Sequence, residues 1–150
     1  MAYEKTLATN RQASFHYTIL DRIEAGVVLL GTEVKSLRLG LCNLKDAYAR
    51  FQEGDLWMHN CHISPYPHGN RMNHEPLRPR KLLLHRSQLQ RLDKELTRGV
   101  TLVPLKFYLK DKHIKVELGV AKGKKSYDKR AALKEKDLKR EADAALRQRR

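Results

Sequence analysis

The sequence predicts a mainly β protein: a small closed antiparallel barrel of about six strands with two or three packed helices, followed by a basic C-terminal tail. The first observation is a series of short apolar stretches, separated by turn residues, over residues 1–121. The second is a pair of segments between these stretches in which apolar residues recur at helical spacing and after which a glycine can end the helix. The third is the tail, residues 122–150, which holds twelve Lys and Arg against five Asp and Glu and has too little apolar surface to fold alone.

The first apolar stretches predict two strands joined at a glycine. Apolar and polar residues alternate over 15–19, and a continuous apolar run over 27–30 follows Gly26. We interpret the alternation as one strand, the glycine as a bend and the run as a second strand. Residues 1–10 are polar, and we expect them to be frayed.

A short helix is predicted after the second strand. Thr32 can cap a helix over residues 33–39, and Gly40 is a natural stop. Apolar residues recur on one face of this helix. The other face, which we expect to be exposed, presents two cations and a hydroxyl: Lys35, Ser36 and Arg38. This face is either simply solvated or a site of anion contact.

Two hairpins are predicted. The first joins residues 47–51 to 56–59 through a turn at 53–55. The second joins residues 100–109 to 114–120, and apolar residues alternate cleanly along its second strand.

A long loop and a helix connect the two hairpins. Five prolines and glycines punctuate residues 65–79, and loops of this length are uncommon unless they are functional or disordered. Ser87 is an N-cap candidate for the helix that follows, which ends before Gly99. Its apolar residues keep helical spacing: Leu89, Leu92 and Leu96.

Strands and helices of this number match best the oligonucleotide-binding type of Greek-key barrel. We therefore divide the chain into a barrel domain, residues 1–121, and a tail, residues 122–150. Four apolar residues of the tail keep helical spacing, namely Leu138, Ala142, Ala145 and Leu146. Because this stripe is narrow and the flanking cations repel one another, we predict a tail that is disordered when free and helical on a charged partner.

The chain has a formal net charge of +14, of which the tail contributes +7 (twelve minus five) and the body the other +7 (nineteen minus twelve). Such an excess is typical of proteins that bind polyanions, because each phosphate contact releases condensed counterions. RNA is the polyanion that we favour, and an anionic membrane surface is the alternative. No apolar run approaches the ~18 residues of a spanning helix and no signal peptide is evident, so we expect a soluble, cytoplasmic protein.

The sequence shows no pattern typical of an enzyme or a metal site, so we expect no catalysis, no cofactor and no metal. A nucleophile with its base, paired carboxylates and a phosphate-binding glycine loop are all missing, and residues 119–125 lack the Walker frame. Cys42 and Cys61 are too few for a disulfide scaffold. The cluster at residues 59–62 contains two histidines and a cysteine but has no second ligand pair at zinc spacing.

A basic run before the apolar residues 82–84 is a candidate RNA contact. Arg80 and Lys81, within residues 78–81, would clamp a phosphate, and the apolar strand that follows would position His85 at its end. A solvated charged loop is the alternative interpretation.

Aromatic residues of the first hairpin are candidates for base stacking. Phe51 and Trp57 are large, and we assign both to the core. For Tyr48, both a core position and an RNA contact remain as interpretations.

Five motifs of the chain resemble those of the SsrA-binding protein (SmpB) family, in the same order and at matching spacing. They are NRQA at 10–13, EAG at 24–26, EVKSLR at 33–38, RKLLLH at 80–85 and GVAKGKK at 119–125. Residues 128–130 and the basic tail also match, so the resemblance covers nearly the whole chain.

The resemblance implies an RNA-binding barrel that binds the tRNA-like domain of transfer-messenger RNA (tmRNA, or SsrA RNA). It implies a non-enzymatic role in trans-translation, in which the protein delivers this RNA to the empty decoding site of a stalled ribosome. The partners would be tmRNA and the ribosomal RNA of the decoding centre and message channel. We expect no membrane partner, and a monomer when free.

Site residues follow from the motifs together with the residue patterns. The predicted RNA-binding residues are Arg11, Glu24, Lys35, Ser36, Arg38, Tyr48, Arg80, Lys81, Leu83 and His85. By resemblance, Glu24 would accept hydrogen bonds from bases or ribose. Lys35 and Arg38 would neutralise the RNA backbone, Leu83 would brace the surface, and His85 would offer a polar ring.

The tail would contact the ribosome. Its predicted contact residues are Lys122, Gly123, Lys124, Lys125, Tyr127, Asp128, Lys129 and Arg130. By resemblance, Gly123 would let the chain bend away from the barrel, and the tail would fold into a helix in the message channel. Tyr127 stands where some family members have His, and stacking on a base suits either ring.

Three other functions are alternatives to this one. A general binder of single-stranded RNA would show affinity that tracks RNA length, with no advantage for a tRNA-like shape. An RNA-processing enzyme would need a metal-dependent activity that no residue cluster suggests. A ribosomal structural protein would remain bound to subunits at high salt.

Overall fold

The computed structural model describes residues 4–69, 72–96, 99–123 and 126–148. Its strands are β1 (Glu4–Thr9), β2 (Tyr17–Val27), β3 (Cys42–Asn43), β4 (Tyr48–Gln52), β5 (Asp55–His59), β6 (His62–Ile63), β7 (Arg80–Leu83), β8 (Thr101–Lys110) and β9 (His113–Gly123). Its helices are α1 (Ala13–His16), α2 (Gly31–Arg38), α3 (Arg86–Leu96) and α4 (Ser126–Gln148). None of the helices in the described ranges combines the length and apolar character needed to cross a membrane.

Six strands close into an antiparallel ring in the order β8-β4-β5-β7-β2-β9, with β9 pairing back onto β8. The prediction of a mainly β, closed arrangement of about six strands is confirmed. The long strands β2, β8 and β9 have register shifts between Ile19 and Asp21 and between Pro104 and Lys106. Such irregularities bend a strand and help a small sheet to close, and one of them accommodates Pro104, which cannot donate to a ladder.

The inward residues of the ring and one face of each of two helices form a single core. Its fully buried members include Leu37 of α2, Leu56 and Met58 of β5, Leu92 of α3, Leu102 and Phe107 of β8, and Val116 and Leu118 of β9. The period-two alternation predicted for residues 114–120 is therefore observed, and burial of these side chains is the main favourable term for folding.

The assignment of Trp57 to the core is wrong. Leu56 and Met58 take the two inward positions of β5, so Trp57 between them points outward and is half-buried, opposite Arg50 on one side and Lys81 on the other. Phe51 packs against the core from its edge and is partly buried.

The N-terminal segment is not frayed over residues 4–9. It forms β1, which pairs with the end of β8, and Leu7 and Ala8 pack against the core. The side chain of Asn10 then donates to the carbonyls of Leu44 and Pro104, which fixes the chain after the strand. The polar sequence did not predict this strand. A strand pairs at the edge of a sheet through backbone N–H and C=O groups, which every sequence has.

Three element boundaries differ from the prediction. Strand β2 runs straight through Gly26, so the predicted bend and second strand at 27–30 are absent from this described region. Helix α2 begins at Gly31, and the carboxylate of Glu33 caps it by accepting the N–H of Leu30, whereas Thr32 bonds elsewhere. Helix α3 begins at Arg86, so Ser87 lies in its first turn.

Other turn predictions are confirmed. Gly40 has φ +75° and ends α2, with the N–H of Gly40 and of Leu41 donating to the carbonyls of Leu37 and Ser36. Glu53 and Gly54 both have positive φ, as expected of a tight two-residue turn between β4 and β5.

The tail contains the helix predicted for its folded state. Strand β9 ends at Gly123, and α4 covers Ser126–Gln148, lying beside α1. Its side chains from residue 134 to 144 are exposed. Disorder of the tail before binding stays a prediction, as does the division of the chain at residue 121.

Candidate nucleic-acid interface

An open groove lies on the outer face of the ring between β2, the end of β7 and the start of α3. It is lined by Asp21, Arg22, Ile23, Glu24, Gly26, Leu83, Leu84, His85, Gln88, Arg91 and Lys115. Three predicted residues from two separate motifs, Glu24, Leu83 and His85, therefore meet in one place. The pairing of β2 with β7 brings them together, since Gly26 lies opposite Leu83.

Gly26 matters for this close approach. A Cβ atom at this position would lie 3.2 Å from the Cβ of Leu83, closer than most side-chain contacts. The absence of a side chain lets β7 pair with β2, and Leu83 stays 51 % exposed in the groove. Leu83 thus supplies an apolar surface beside polar groups.

The carboxylate of Glu24 is held in a fixed position. Tyr108 Oη donates to Glu24 Oε1 at 2.5 Å, and Lys110 Nζ lies 3.3 Å from the same oxygen and 3.4 Å from Oε2. The hydrogen bond from Tyr108, followed by the contacts with Lys110, holds the pKa of Glu24 below its usual value even though burial opposes this. Glu24 is therefore ionised and acts only as an acceptor, which suits amino and hydroxyl groups and disfavours phosphate.

Cations form the rim of the groove. Arg22 lies 3.8 Å from Glu117, and Arg91 makes an ion pair of 2.9 Å with Asp21. Both arginines are exposed, so these pairs are weak. Their guanidinium groups therefore remain available to an anionic ligand. Lys115 of β9 completes the rim.

The sequence prediction missed the four residues of this groove that carry a cationic or an amide side chain. They are Arg22, Gln88, Arg91 and Lys115. The signal for two of them was present, because Gln88 and Arg91 are three residues apart on the polar face of α3. His85 precedes this helix, is exposed, and donates its backbone N–H to Gln88 Oε1 at 3.1 Å.

Helix α2 carries cations beside the groove. Lys35 and Arg38 are exposed, as predicted. Arg38 lines a smaller hollow that it shares with Gly26, Leu83 and Lys115, so it adjoins the groove directly. Lys35, one turn earlier, faces the loop that follows β6, with its Nζ 5.4 Å from the ring centre of Tyr66.

Ser36 does not share this exposed face, and its predicted role as an RNA contact is wrong. The side chain is fully buried on the core side of α2, next to Leu37. A helix of this length has one exposed face about half its circumference wide, and positions 35 and 38 lie on it while 36 and 37 do not.

Arg80 is also buried, which corrects its assignment to a phosphate clamp. Its guanidinium bonds Glu33 Oε2 at 2.5 Å and the carbonyl of Cys61, and Arg78 Nη2 bonds Glu33 Oε1 at 2.5 Å. Burial opposes ionisation of Glu33, but the hydrogen bonds from Arg78, Leu30 and Arg80 outweigh it and hold the pKa of Glu33 low. The group therefore joins α2 to β7 as a buried ion cluster.

The neighbour of Arg80 points outward. Lys81 is partly exposed on the same outer face as Leu83 and lies 3.6 Å from Asp55. The alternation along β7 was the available signal for this difference, because it places Arg80 and Leu82 inside and Lys81 and Leu83 outside.

The chain is similar to known proteins along most of its length. The family model described as "SmpB protein" matches residues 7–148. The chain belongs to the SmpB family. An SsrA-binding protein of Carboxydothermus hydrogenoformans is 56 % identical to it, over 97 % of this chain and 99 % of that protein. An SsrA-binding protein of an Exiguobacterium species is 57 % identical, over 95 % of this chain and 92 % of that protein.

A solved structure is similar as well. The chain in a structure described as "tmRNA-SmpB: a journey to the center of the bacterial ribosome" matches with a TM-score of 0.66 and 48 % identity. The match covers 79 % of this chain and 84 % of that one.

Two predicted RNA-binding residues of this SmpB-family chain lie away from the groove. Tyr48 stacks on His59 across the first hairpin, with ring centres 5.5 Å apart, and lines a hollow near Gly123. Burial, with Arg50 nearby, lowers the pKa of His59, which favours its neutral form. Arg11 lines a neighbouring hollow between α1 and α4. Both residues are thus beside the tail.

The predicted tail residues are only partly described. Lys122 and Gly123 form the exposed end of β9, and Arg130 is exposed on α4. Lys124 and Lys125 lie outside the described residues, and so do the side chains of Tyr127, Asp128 and Lys129.

The two cysteines lie side by side. Cys42 Sγ and Cys61 Sγ are 4.0 Å apart, and both are free thiols. The contact with Cys61, together with burial, raises the pKa of Cys42. Among the described residues, no group of three or more His, Cys, Asp and Glu side chains could hold a metal ion.

Proposed function

We propose that this chain binds the tRNA-like domain of SsrA RNA (tmRNA) through the groove and delivers it to stalled ribosomes for trans-translation. The observation that carries the proposal is the convergence of Glu24, Leu83 and His85 in one cation-rimmed groove, in a chain 56 % identical to an SsrA-binding protein. The role is one of binding and delivery, without catalysis. A cytoplasmic location follows from these partners.

The groove offers each kind of contact that a folded RNA requires. Proteins recognise such RNAs by shape, by phosphates and by a few unpaired bases. The fixed carboxylate of Glu24 can accept hydrogen bonds from base amino groups or 2′-hydroxyls. Leu83 and His85 offer an apolar and a polar surface to a base, and Arg38 with Lys115 can neutralise the adjoining phosphates.

The tail would provide the second half of the function. Its helix carries many cations and few apolar side chains, so it can follow a channel lined by ribosomal RNA. An intact message would exclude this helix sterically and electrostatically. Competition for the channel would then restrict delivery to ribosomes that lack downstream message, with the tail probing the empty decoding site. Arg11 and Tyr48, which lie beside the tail, would contribute to that contact rather than to the groove.

The test is competition binding of the full chain to a transcript of the tRNA-like domain. Unlabelled tRNA and unstructured RNA of equal length compete at two salt concentrations. A preference of at least about tenfold, or ~1.4 kcal/mol, that survives the higher salt supports the proposal. Equal competition with a steep salt dependence would instead indicate a general phosphate binder.

One substitution links this preference to the groove. Glu24→Gln keeps the size of the side chain and removes its charge, and we expect it to reduce the preference at least fivefold. Glu53→Gln, in the exposed turn of the first hairpin, is the matched control and should bind like the natural chain. Equal behaviour of the two variants would place the RNA elsewhere on the protein.

A further inference from the structure

A buried histidine fixes the loop between β6 and β7 to neighbouring elements. His74 is only 5 % exposed. Its Nε2 lies 2.8 Å from the carbonyl of Ile63, and its Nδ1 lies 2.8 Å from Thr32 Oγ1. Since a carbonyl can only accept, Nε2 donates to Ile63, and Nδ1 pairs with the hydroxyl of Thr32. The loop is thereby tied both to β6 and to the start of α2.

A second side chain holds the backbone of Tyr66. Asn73 Oδ1 accepts from the backbone N–H of Tyr66 at 3.2 Å, and Asn73 Nδ2 donates to the carbonyl of Tyr66 at 2.9 Å. Gly69 makes room for this amide, because a Cβ atom there would lie 2.6 Å from Asn73 Nδ2. These interactions give Tyr66 a defined position at low entropic cost on binding.

The ring of Tyr66 lies among cationic and aromatic groups. Its centre is 5.4 Å from Lys35 Nζ, and the ring of His68 approaches it edge-on with centres 5.5 Å apart. Tyr66 is half-buried, whereas Lys35 and His68 are exposed. The only acidic side chain in α2, Glu33, is buried and paired with Arg78 and Arg80, so it does not offset the charge of Lys35.

Helix α2 connects this surface to the groove. Lys35 and Arg38 lie on the same face, about 4.5 Å apart along the helix axis. Arg38 adjoins the groove through the hollow that it shares with Leu83, and Lys35 touches the loop. A strand of RNA leaving the groove therefore meets Arg38, Lys35 and Tyr66 in that order.

We propose that Tyr66, with His68 beside it, is a second contact for the same folded RNA and stacks on one of its unpaired nucleotides. Lys35, which has a flexible side chain, neutralises the phosphate of that nucleotide. Aromatic rings that hold bases next to cations are the usual means of binding unpaired RNA. This inference rests on the proposed function and adds a contact that the sequence motifs did not include.

Three substitutions test it in the full chain, with a transcript of the tRNA-like domain as the probe. Tyr66→Leu removes the stacking face and should weaken binding about tenfold, with an unchanged salt dependence. Tyr66→Phe keeps the ring and should bind like the natural chain. Lys35→Met should weaken binding and lower the slope of log K against log salt by about one unit, because one phosphate contact is lost.

The outcomes separate this inference from the proposed function. Thermal unfolding of each variant first shows that the loop change has not unfolded the protein. If the natural chain prefers the tRNA-like RNA but Tyr66→Leu binds equally well, the inference is overturned and the proposed function stands. Equal losses for Tyr66→Phe and Tyr66→Leu would also overturn it, since the hydroxyl rather than the ring would then be responsible. If the natural chain shows no preference, the proposed function itself fails.

Discussion

The hydroxyl of Tyr108 on β8 reaches across β9 and donates a hydrogen bond of 2.5 Å to the carboxylate of Glu24 on β2. Burial, together with the nearby Glu24 carboxylate, raises the pKa of Tyr108, so the phenol stays protonated and continues to donate. An acceptor that is already oriented loses less entropy when it binds RNA. Tyr108 is thus a positioning residue for the groove, although it is almost completely buried.

Tyr108→Phe tests this relationship. The change removes one donor and keeps the ring, so RNA affinity should fall about fivefold, corresponding to a hydrogen bond of ~1 kcal/mol. The pKa of Glu24, followed by NMR titration, should rise towards its usual value because the main cause of its lowering is lost. Tyr48→Phe, far from the groove, is the control and should alter neither quantity. An unchanged Glu24 titration in Tyr108→Phe would contradict the relationship.

Leu83 should contribute to binding rather than to stability. We expect Leu83→Ala to weaken RNA binding by about tenfold and to change the free energy of unfolding by less than about 1 kcal/mol, since the side chain is half exposed. Leu77→Ala is a matched control, because both leucines are 51 % exposed. Binding is measured by titration and stability by urea unfolding. A similar loss of affinity in both variants would argue against a specific role for Leu83.

The buried cluster of Glu33, Arg78 and Arg80 should govern stability. Arg80→Leu removes one partner from a buried pair and should cost about 3–5 kcal/mol in urea unfolding. Lys81→Leu, at the next and outward-facing position, should cost less than about 1 kcal/mol because its ion pair is exposed. Comparable costs for the two variants would show that the cluster is not important for stability.

The same cluster predicts a dependence of stability on pH. The pKa of Glu33 in the folded protein is below 4.5, its ordinary value. The stabilisation from its ionised form is therefore complete above pH 4.5 and is lost as pH falls through the lower folded pKa. Urea unfolding between pH 7 and pH 3 should show this loss in the natural chain and a smaller loss in Arg80→Leu. If the free energy of unfolding fell equally with pH in the natural chain and in Arg80→Leu, titrating groups other than Glu33 would be responsible for the loss of stability.

Removal of residues 128–150 should separate RNA binding from delivery. The groove lies entirely within residues 21–115, so the shortened chain should bind the free tRNA-like transcript as the full chain does. Tagging of a peptide from a message without a stop codon, measured in a translation extract, should be abolished. A loss of free-RNA affinity greater than tenfold would show that the tail takes part in the first step.

Local patterns predicted much of the fold. The alternation along residues 114–120, the turn at Glu53 and Gly54 and the stop at Gly40 all depend on neighbouring residues, and the structure confirms each of them. The surface cations Lys35 and Arg38 were likewise predicted correctly from helical spacing. The motifs predicted Glu24, Leu83 and His85 as RNA-binding residues but did not show that they share one groove.

What the sequence alone determined is therefore the element types, the excess of positive charge and the family to which the chain belongs. Only the tertiary structure decided which cations are exposed and which are buried, because Arg80 becomes an interior residue only when α2 brings Glu33 beside it. It also decided that the polar residues 4–9 form a strand and that Tyr108 holds Glu24. These outcomes depend on contacts between residues far apart in the chain. Such contacts form only when the chain folds and the ring closes, so no local sequence pattern predicts them.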